Sequence, residues 1–460
     1  MLLLVIFIAK ELLWTYVTPP WEAPDETGHY GYVESMFYEK KFPVLGETLF
    51  SSRVMAVGPE ESQKQTDKYI GGSSLNWIAQ HPPLYYLLLE PFYAILPHDN
   101  VLPSIFFLRF FSVFLGCVTL YFGWKTVRIL VPDQEWLQVA VIVGMAFLPM
   151  FSSISASVNN DNLVFALSAY LLYRSLKFFE KEDTANNIIL GIILGLLALT
   201  KVTALPLFGG ILVIETIKHV RLRKKNRNKC GSFWGHLGTV FGIAFIIAGW
   251  WYIRNYVLYQ SFLPDLVTVV NRHPEILVKF PKLATFFPEV VSQSAKAGTG
   301  LYDFFITKNF LLEYFKNIWG AFGRFFFQLA DWQYAIIYLI MALSVAGYIR
   351  VLYLAAREKN WPTLKQFFGW KGGVIWYPFL FVSVAVTWKL YIIFQERGFL
   401  GALQGRYLFS ALLPFIYILV RGIDHLLPEK WKKFFWLALA CFFVINDAAT
   451  LLFRIIPEFY

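Results

Sequence analysis

Two adjacent carboxylates, Asp25 and Glu26, follow the first apolar run in the stretch Pro19-Pro20-Trp21-Glu22-Ala23-Pro24-Asp25-Glu26-Thr27-Gly28-His29-Tyr30. A carboxylate held within hydrogen-bond reach of a hydroxyl acts as a general base, and His29, about one helical turn on, adds an imidazole. Prolines 19, 20 and 24 stop a helix here, because each lacks an N–H and restricts the residue before it. From Asp25 onward Tyr30, Val33 and Phe37 fall at helical spacing, which places both acids in a first turn. The helix dipole favours their ionised form there. The plainer alternative is an N-cap in a solvated turn.

Fixed positive charges recur in short polar breaks between apolar runs. Lys201 closes Leu199-Thr200-Lys201, Arg254 lies in Gly249-Trp250-Trp251-Tyr252-Ile253-Arg254-Asn255, and Arg406 precedes Tyr407 in Gln404-Gly405-Arg406-Tyr407. His81 opens the end of a polar loop in Gln80-His81-Pro82-Pro83-Leu84-Tyr85-Tyr86, and Asp161 stands in Ser157-Val158-Asn159-Asn160-Asp161-Asn162. Cations of this kind can stabilise charge developing on a departing phosphate. Arginine suits the task because its planar fork binds two oxygens and stays ionised. Singly, each has a duller reading: Lys201 and Arg254 as snorkelling span ends, Arg406 as an anchor, His81 as a turn residue, Asp161 as a helix cap. Arg109 lies inside an apolar run, where a charge is costly and usually has a partner or a function.

The elements that must position these groups are membrane helices. Of 460 residues 57% are hydrophobic and 16% charged, too little charge for a soluble surface of this size, and apolar runs of about 20 residues recur. Sixteen Trp and twenty-five Tyr suit a chain with many water–lipid boundaries. The net charge of +10 gathers in short loops between spans, an orientation signal and not a nucleic-acid patch. The three cysteines, Cys117, Cys230 and Cys441, lie in separate segments and imply no disulfide framework. No Asn-x-Ser/Thr acceptor occurs, which favours a prokaryotic source.

The fold class predicted is an all-α polytopic membrane protein of about eleven transmembrane helices, with interfacial helices in a long first external loop. The first run, about 2–17, lacks a basic start and a small-residue cleavage site, so it reads as an uncleaved span. Later spans fall at about 103–124, 136–155, a fourth ending near Arg174, then 187–200, 202–217, 234–254, 333–353, 374–394, 408–420 and 434–453. The short pair around Lys201 is the weakest of these. Loops of about 20–100 and 256–330 lie outside. Leu84 to Leu96, broken by Pro91, and the aromatic run Phe304 to Phe327 read as lying at the interface. With the N-terminus inside, every cytoplasmic loop carries Lys or Arg, the richest being 218–229 with seven and no acid. The same alternation places Asp25, Glu26, His81, Asp161, Lys201, Arg254 and Arg406 on the other face.

The motifs PDETGH, QHPPLYY, LTK and WWYIRN, in this order and sidedness, resemble the GT-C superfamily of glycosyltransferases, which includes the protein O-mannosyltransferases and the lipid A aminoarabinose transferases. PDExxH and QGRY also resemble a bacterial membrane family classified only as a domain of unknown function. The resemblance implies a GT-C-like catalytic module over 1–330 with C-terminal transmembrane helices over 331–460. It implies inverting transfer of a sugar from a polyprenyl-phosphate-linked donor to a protein, lipid or glycan acceptor, in the cell envelope outside the cytoplasm. By it Asp25 is the catalytic base, with Glu26 supporting it or helping to hold a divalent ion. His81 and Lys201 face the donor phosphate, and Arg254 and Arg406 join them by charge and sidedness. His29, Arg109, Asp161 and Tyr407 support the site. A transporter or flippase for a lipid-linked glycan is the competing class, although no internal repeat of the transporter kind is visible. The topology is directly checkable: reporter fusions place Lys224 in the cytoplasm and Asp67 outside, and finding both on one side overturns the sorting.

Overall fold

A computed structural model describes residues 2–57, 75–177, 184–225, 233–280, 300–323, 327–357, 370–397, 400 and 403–460. Asp67, Gly71 to Ser74, Cys230, Lys359 and the end of the 218–229 basic segment lie outside the described residues.

Each apolar run is helical. Helix α1 is Leu2–Val17 and α2, in the first loop, is Glu26–Glu39. The loop returns through α3, Leu84–Ala94, which contains Pro91. Then come α4 (Val101–Leu130), α5 (Glu135–Ala146), α6 (Pro149–Ser155), α7 (Asp161–Lys177) and α8 (Thr184–Ala198). Next follow α9 (Pro206–Lys225), α10 (Phe233–Tyr259) and α11 (Phe310–Trp319). A two-residue hairpin pairs Ala321–Phe322 with Phe327–Gln328, antiparallel. The C-terminal part holds α12 (Asp331–Arg357), α13 (Trp370–Arg397), a tight 3-10 stretch Gly405–Ala411, α14 (Leu412–Asp424) and α15 (Glu429–Thr450).

The predicted count of about eleven spans is not reached by length and composition. Seven helices among the described residues are long and apolar enough to cross a membrane, or eight if α5 and α6, bent by 57° at Pro149, form one broken span. Helices α1, α7 and α8 have only 16, 17 and 15 residues. At 1.5 Å per residue they measure roughly 22–26 Å, short of a hydrocarbon core of about 30 Å. They share a cause: each meets the polar breaks at 18–25, 156–160 and 199–201. Non-helical backbone is tolerated at such depth only where protein satisfies it. Asn162 Nδ2 donates to the carbonyls of Ile154, Ser157 and Asn159 at 2.9, 3.3 and 3.1 Å, and Asn159 Nδ2 to that of Pro24 at 3.0 Å.

One buried ion pair joins the first two of these breaks. Arg109, on α4, and Glu26, on α2, are both 0% exposed, with Nε–Oε1 at 2.8 Å and Nη2–Oε2 at 2.6 Å. The remaining guanidinium protons go to the carbonyls of Thr15, Thr18 and Pro19 at 2.7, 2.8 and 3.2 Å, so the arginine caps the end of α1. Glu26 also accepts from the backbone N–H groups of Val158 at 3.0 Å and Trp21 at 3.3 Å. A second polar knot lies deeper. Lys10 Nζ sits 2.9 Å from Glu11 and 3.2 Å from Asp447, whose other oxygen accepts from Ser152 at 2.8 Å.

Gly405 allows the C-terminal part to reach this centre. A Cβ there would lie 2.2 Å from backbone atoms of Asn317 and Ile318 on α11, a contact only glycine permits. Arg109→Met leaves Glu26 buried without its cation and lowers stability by about 3–5 kcal/mol. Arg109→Met combined with Glu26→Met recovers part of that loss. Thermal unfolding of the purified protein in detergent reads both, and a double variant no more stable than the single one shows that the unpaired charge is not the cause.

Candidate active site

Five segments far apart in the chain converge at the mouth of the short helices. Asp25 is the residue before α2, yet its side chain makes no cap hydrogen bond, contrary to the N-cap reading. Its backbone is left-handed, at φ 63°, a conformation that Asp tolerates better than most residues and that turns its side chain away from the helix. One carboxylate oxygen pairs with Arg406 Nη2 and the other accepts from Trp77 Nε1 at 3.3 Å. Pro24 fixes the register, its carbonyl accepting from Arg406 Nη1 at 3.1 Å and Asn159 Nδ2 at 3.0 Å.

Arg406 bridges two acids. Its Nε lies 3.3 Å from Asp161 Oδ2 and donates at 2.8 Å to Gln404 Oε1. Asp161 Oδ1 in turn holds Lys201 Nζ at 2.7 Å. Lys201 is delivered by the break after α8, where the Leu199 carbonyl accepts from the Leu84 N–H at 3.0 Å. That bond ties the Lys201 turn to the His81 segment. The Lys201 ammonium also stands 6.0 Å from the Tyr407 ring centroid, at the edge of cation–π range. Asp25, Arg406, Asp161 and Lys201 thus form a chain of alternating charge with no net charge. Within it Asp25 is 26% exposed and the other three nearly inaccessible, so Asp25 is the member open to a substrate.

His81 is present as a neutral ring. Asn160 Nδ2 lies 2.9 Å from His81 Nδ1 and 3.3 Å from the Thr200 carbonyl. The carbonyl requires the NH₂ on that side of the amide, so Nδ1 accepts and Nε2 carries the proton. Burial, reinforced by Lys201 and opposed by Asp25 and Asp161, pushes its pKa down to about 3. His81 therefore offers a neutral N–H donor and not a charge. His29 is fully buried, with Nδ1 2.8 Å from the Tyr86 hydroxyl, and burial followed by Lys201 holds its pKa well below the usual imidazole range. For Asp25, burial raises the pKa, but Arg406 and then Lys201 outweigh it and leave the carboxyl below its ordinary value. Burial lowers Lys201 and Asp161 holds it up, with a net downward shift.

Two placements differ from the sequence reading. Glu26 points inward to Arg109, its oxygens taken up by Arg109, Val158 and Trp21, so it neither faces a substrate nor has capacity for an ion. Among the described residues no three His, Cys, Asp or Glu side chains group as a metal site. The described residues do not fit the divalent ion. Arg254 makes no hydrogen bond or ion pair to the charge chain among the described residues. It donates to the carbonyls of Phe42 and Pro43 at 3.4 and 2.9 Å and packs 4.5 Å from the Trp251 ring, clamping the first loop to α10. Spacing gave no signal for Trp77, while Asn160 and Gln404 stand beside predicted residues, within motifs already noted.

Residues 80–252 match a sequence model of the family described as dolichyl-phosphate-mannose-protein mannosyltransferase. The matched segment carries His81, Arg109, Asp161 and Lys201. Over that segment the chain is similar to this family. The match spans well under half of the chain and excludes Asp25, Glu26, Arg254 and Arg406. No curated protein sequence matches. Among solved structures, ArnT from Cupriavidus metallidurans bound to undecaprenyl phosphate resembles this chain at 13% identity and a TM-score of 0.43, covering 99% of this chain and 73% of its own. The Archaeoglobus fulgidus oligosaccharyltransferase in its apo form is similar at 14% identity and a TM-score of 0.47, over 97% of this chain. This chain spans only 54% of that protein's length.

The neutral imidazole gives a signed pH dependence. Unfolded, His81 takes a proton below about pH 6.5; folded, it stays neutral until about 3. The unfolded state binds more protons between those values, so stability is full above about 6.5 and falls as pH drops through the window. Melting temperatures measured from pH 7.5 to 5 decline in the wild type, and His81→Gln, neutral throughout, shows a shallower decline. Superimposable slopes remove the neutral ring from the account.

Proposed function

We propose that this chain is a glycosyltransferase that moves a sugar from a polyprenyl-phosphate-linked donor to an acceptor hydroxyl on the extracytoplasmic side, with inversion. The observation that carries the reading is the accessible Asp25 carboxylate paired to the buried Arg406, with Lys201 and the His81 N–H in the same cluster. Asp25 takes the proton of the acceptor hydroxyl as its oxygen attacks the anomeric carbon. The bond from that carbon to the phosphate oxygen breaks, and the electron pair leaves on the lipid phosphate. Single displacement inverts the anomeric centre. Arg406 and Lys201 stabilise the charge on the departing phosphate, and His81 Nε2–H adds a neutral hydrogen bond.

Charge balance orders the events. Both cations are already neutralised by Asp25 and Asp161, so an incoming phosphate must compete for Arg406. Asp25 is the exposed and therefore the displaceable partner. Its release restores basicity, because the guanidinium that depressed its pKa now faces the phosphate. Donor binding thereby produces the active base.

Asp25→Asn keeps the side chain's size but cannot take the proton, and transfer falls by about a hundred- to ten-thousand-fold. The same variant binds donor at least as tightly as wild type, since the phosphate no longer displaces a carboxylate. Turnover of a polyprenyl-phosphate sugar in proteoliposomes, with donor affinity measured separately, checks both. Transfer near the wild-type rate removes Asp25 from the chemistry, and weakened donor binding refutes the exchange at Arg406.

A further inference from the structure

A cavity of about 680 Å³ lies at the other end of α4, between the first turn of α1, the end of α4 and α5. Arg128 lies about five turns along α4 from Arg109, roughly 28 Å, so this cavity and the charge cluster occupy opposite faces of the membrane. Its size falls within the range of small-molecule sites. The walls are apolar, built from Leu3 and Leu4 on α1, Leu120 on α4 and Ile142 on α5. The polar lining has one cation, Arg128, one carboxylate, Glu135, and one amide, Gln138.

These polar groups divide unequally. Gln138 is committed to the end of α4, donating to the carbonyls of Val131 and Pro132 at 2.8 and 3.1 Å. Arg128 packs 4.8 Å from the Trp124 ring centroid and forms no ion pair among the described residues, and neither does Glu135. One free cation and one free carboxylate above an apolar slot match a ligand with a phosphate, an ammonium and a hydrocarbon chain. A purely anionic headgroup satisfies Arg128 but meets Glu135 with like charge.

We propose that this cavity is a binding site for an aminophospholipid of the phosphatidylethanolamine type. Its phosphate lies on Arg128, its ammonium on Glu135, and one acyl chain runs between α1, α4 and α5. The site is separate from the transfer centre and does not depend on the reading of that centre.

The test uses the full chain in nanodiscs containing a trace of phosphatidylethanolamine with a diazirine on one acyl chain, the labelled peptides being mapped by mass spectrometry. In the wild type, label concentrates on peptides from 120–143 and is competed by unlabelled phosphatidylethanolamine but not by phosphatidylglycerol. Arg128→Gln reduces this labelling by about tenfold, the scale of one charge-assisted contact. Glu135→Gln keeps the labelling and loses the discrimination between the two lipids. Label spread evenly over all lipid-facing helices, or equal competition by phosphatidylglycerol in the wild type, overturns the proposal without reference to any variant's folding.

Discussion

The architecture depends on one desolvated ion pair. Arg109 and Glu26 are buried to the last atom, and water can rescue neither of them. Burying two such ions is unfavourable unless the geometry is good and the remaining donors and acceptors are filled. Here the surplus protons of Arg109 close the carbonyls left open at the end of α1 and in the Pro-rich turn. Glu26 fills the open N–H groups of Trp21 and Val158. Two broken backbone segments thus share one polar centre, which satisfies backbone groups that the helix ends leave open. Asp25 is the next residue along, and its direction follows from this anchoring.

The charge chain from Asp25 to Lys201 differs from that anchor in one decisive way. The Arg109–Glu26 pair is closed on every side, whereas the outer pair is closed only from within. A left-handed backbone at Asp25 and a quarter-exposed carboxylate keep one link accessible. Neutral imidazoles at 29 and 81 complete the lining without adding positive charge that would compete for the acids. The same cations therefore rest in balance, with one link of the chain left accessible.

Much of this could be read from the chain because membrane sidedness is written locally. Positive charges in short loops sorted Asp25, His81, Asp161, Lys201 and Arg406 onto one face, and the structure brings those five side chains into one cluster. Sidedness could not separate Arg254 from them, since a loop clamp and a phosphate ligand carry the same charge on the same face. It also could not assign Glu26, whose partner is 83 residues away inside another apolar run. Trp77 was invisible for the same reason: the contact with Asp25 bridges 52 residues without any periodic pattern. The short α7 reads as an ordinary span because hydropathy registers composition, while its early end is set by tertiary partners of Asn159, Asn160 and Asn162; only the shortness of α8 shows in the sequence.

The deep knot of Lys10, Glu11, Ser152 and Asp447 bears on how the molecule is made. Lys10 and Glu11 partner each other on the first helix at 2.9 Å. Asp447 is synthesised more than four hundred residues later, its bond to Trp14 bridging 433 positions, a delay on the order of tens of seconds at ribosomal speed. When the last long helix enters the bilayer it carries an acid that hydrocarbon will not accept. The place that satisfies it is the groove where Lys10, Ser152 and Trp14 already stand. The acid of the last long helix is thus matched by a seat that the first part of the chain supplies.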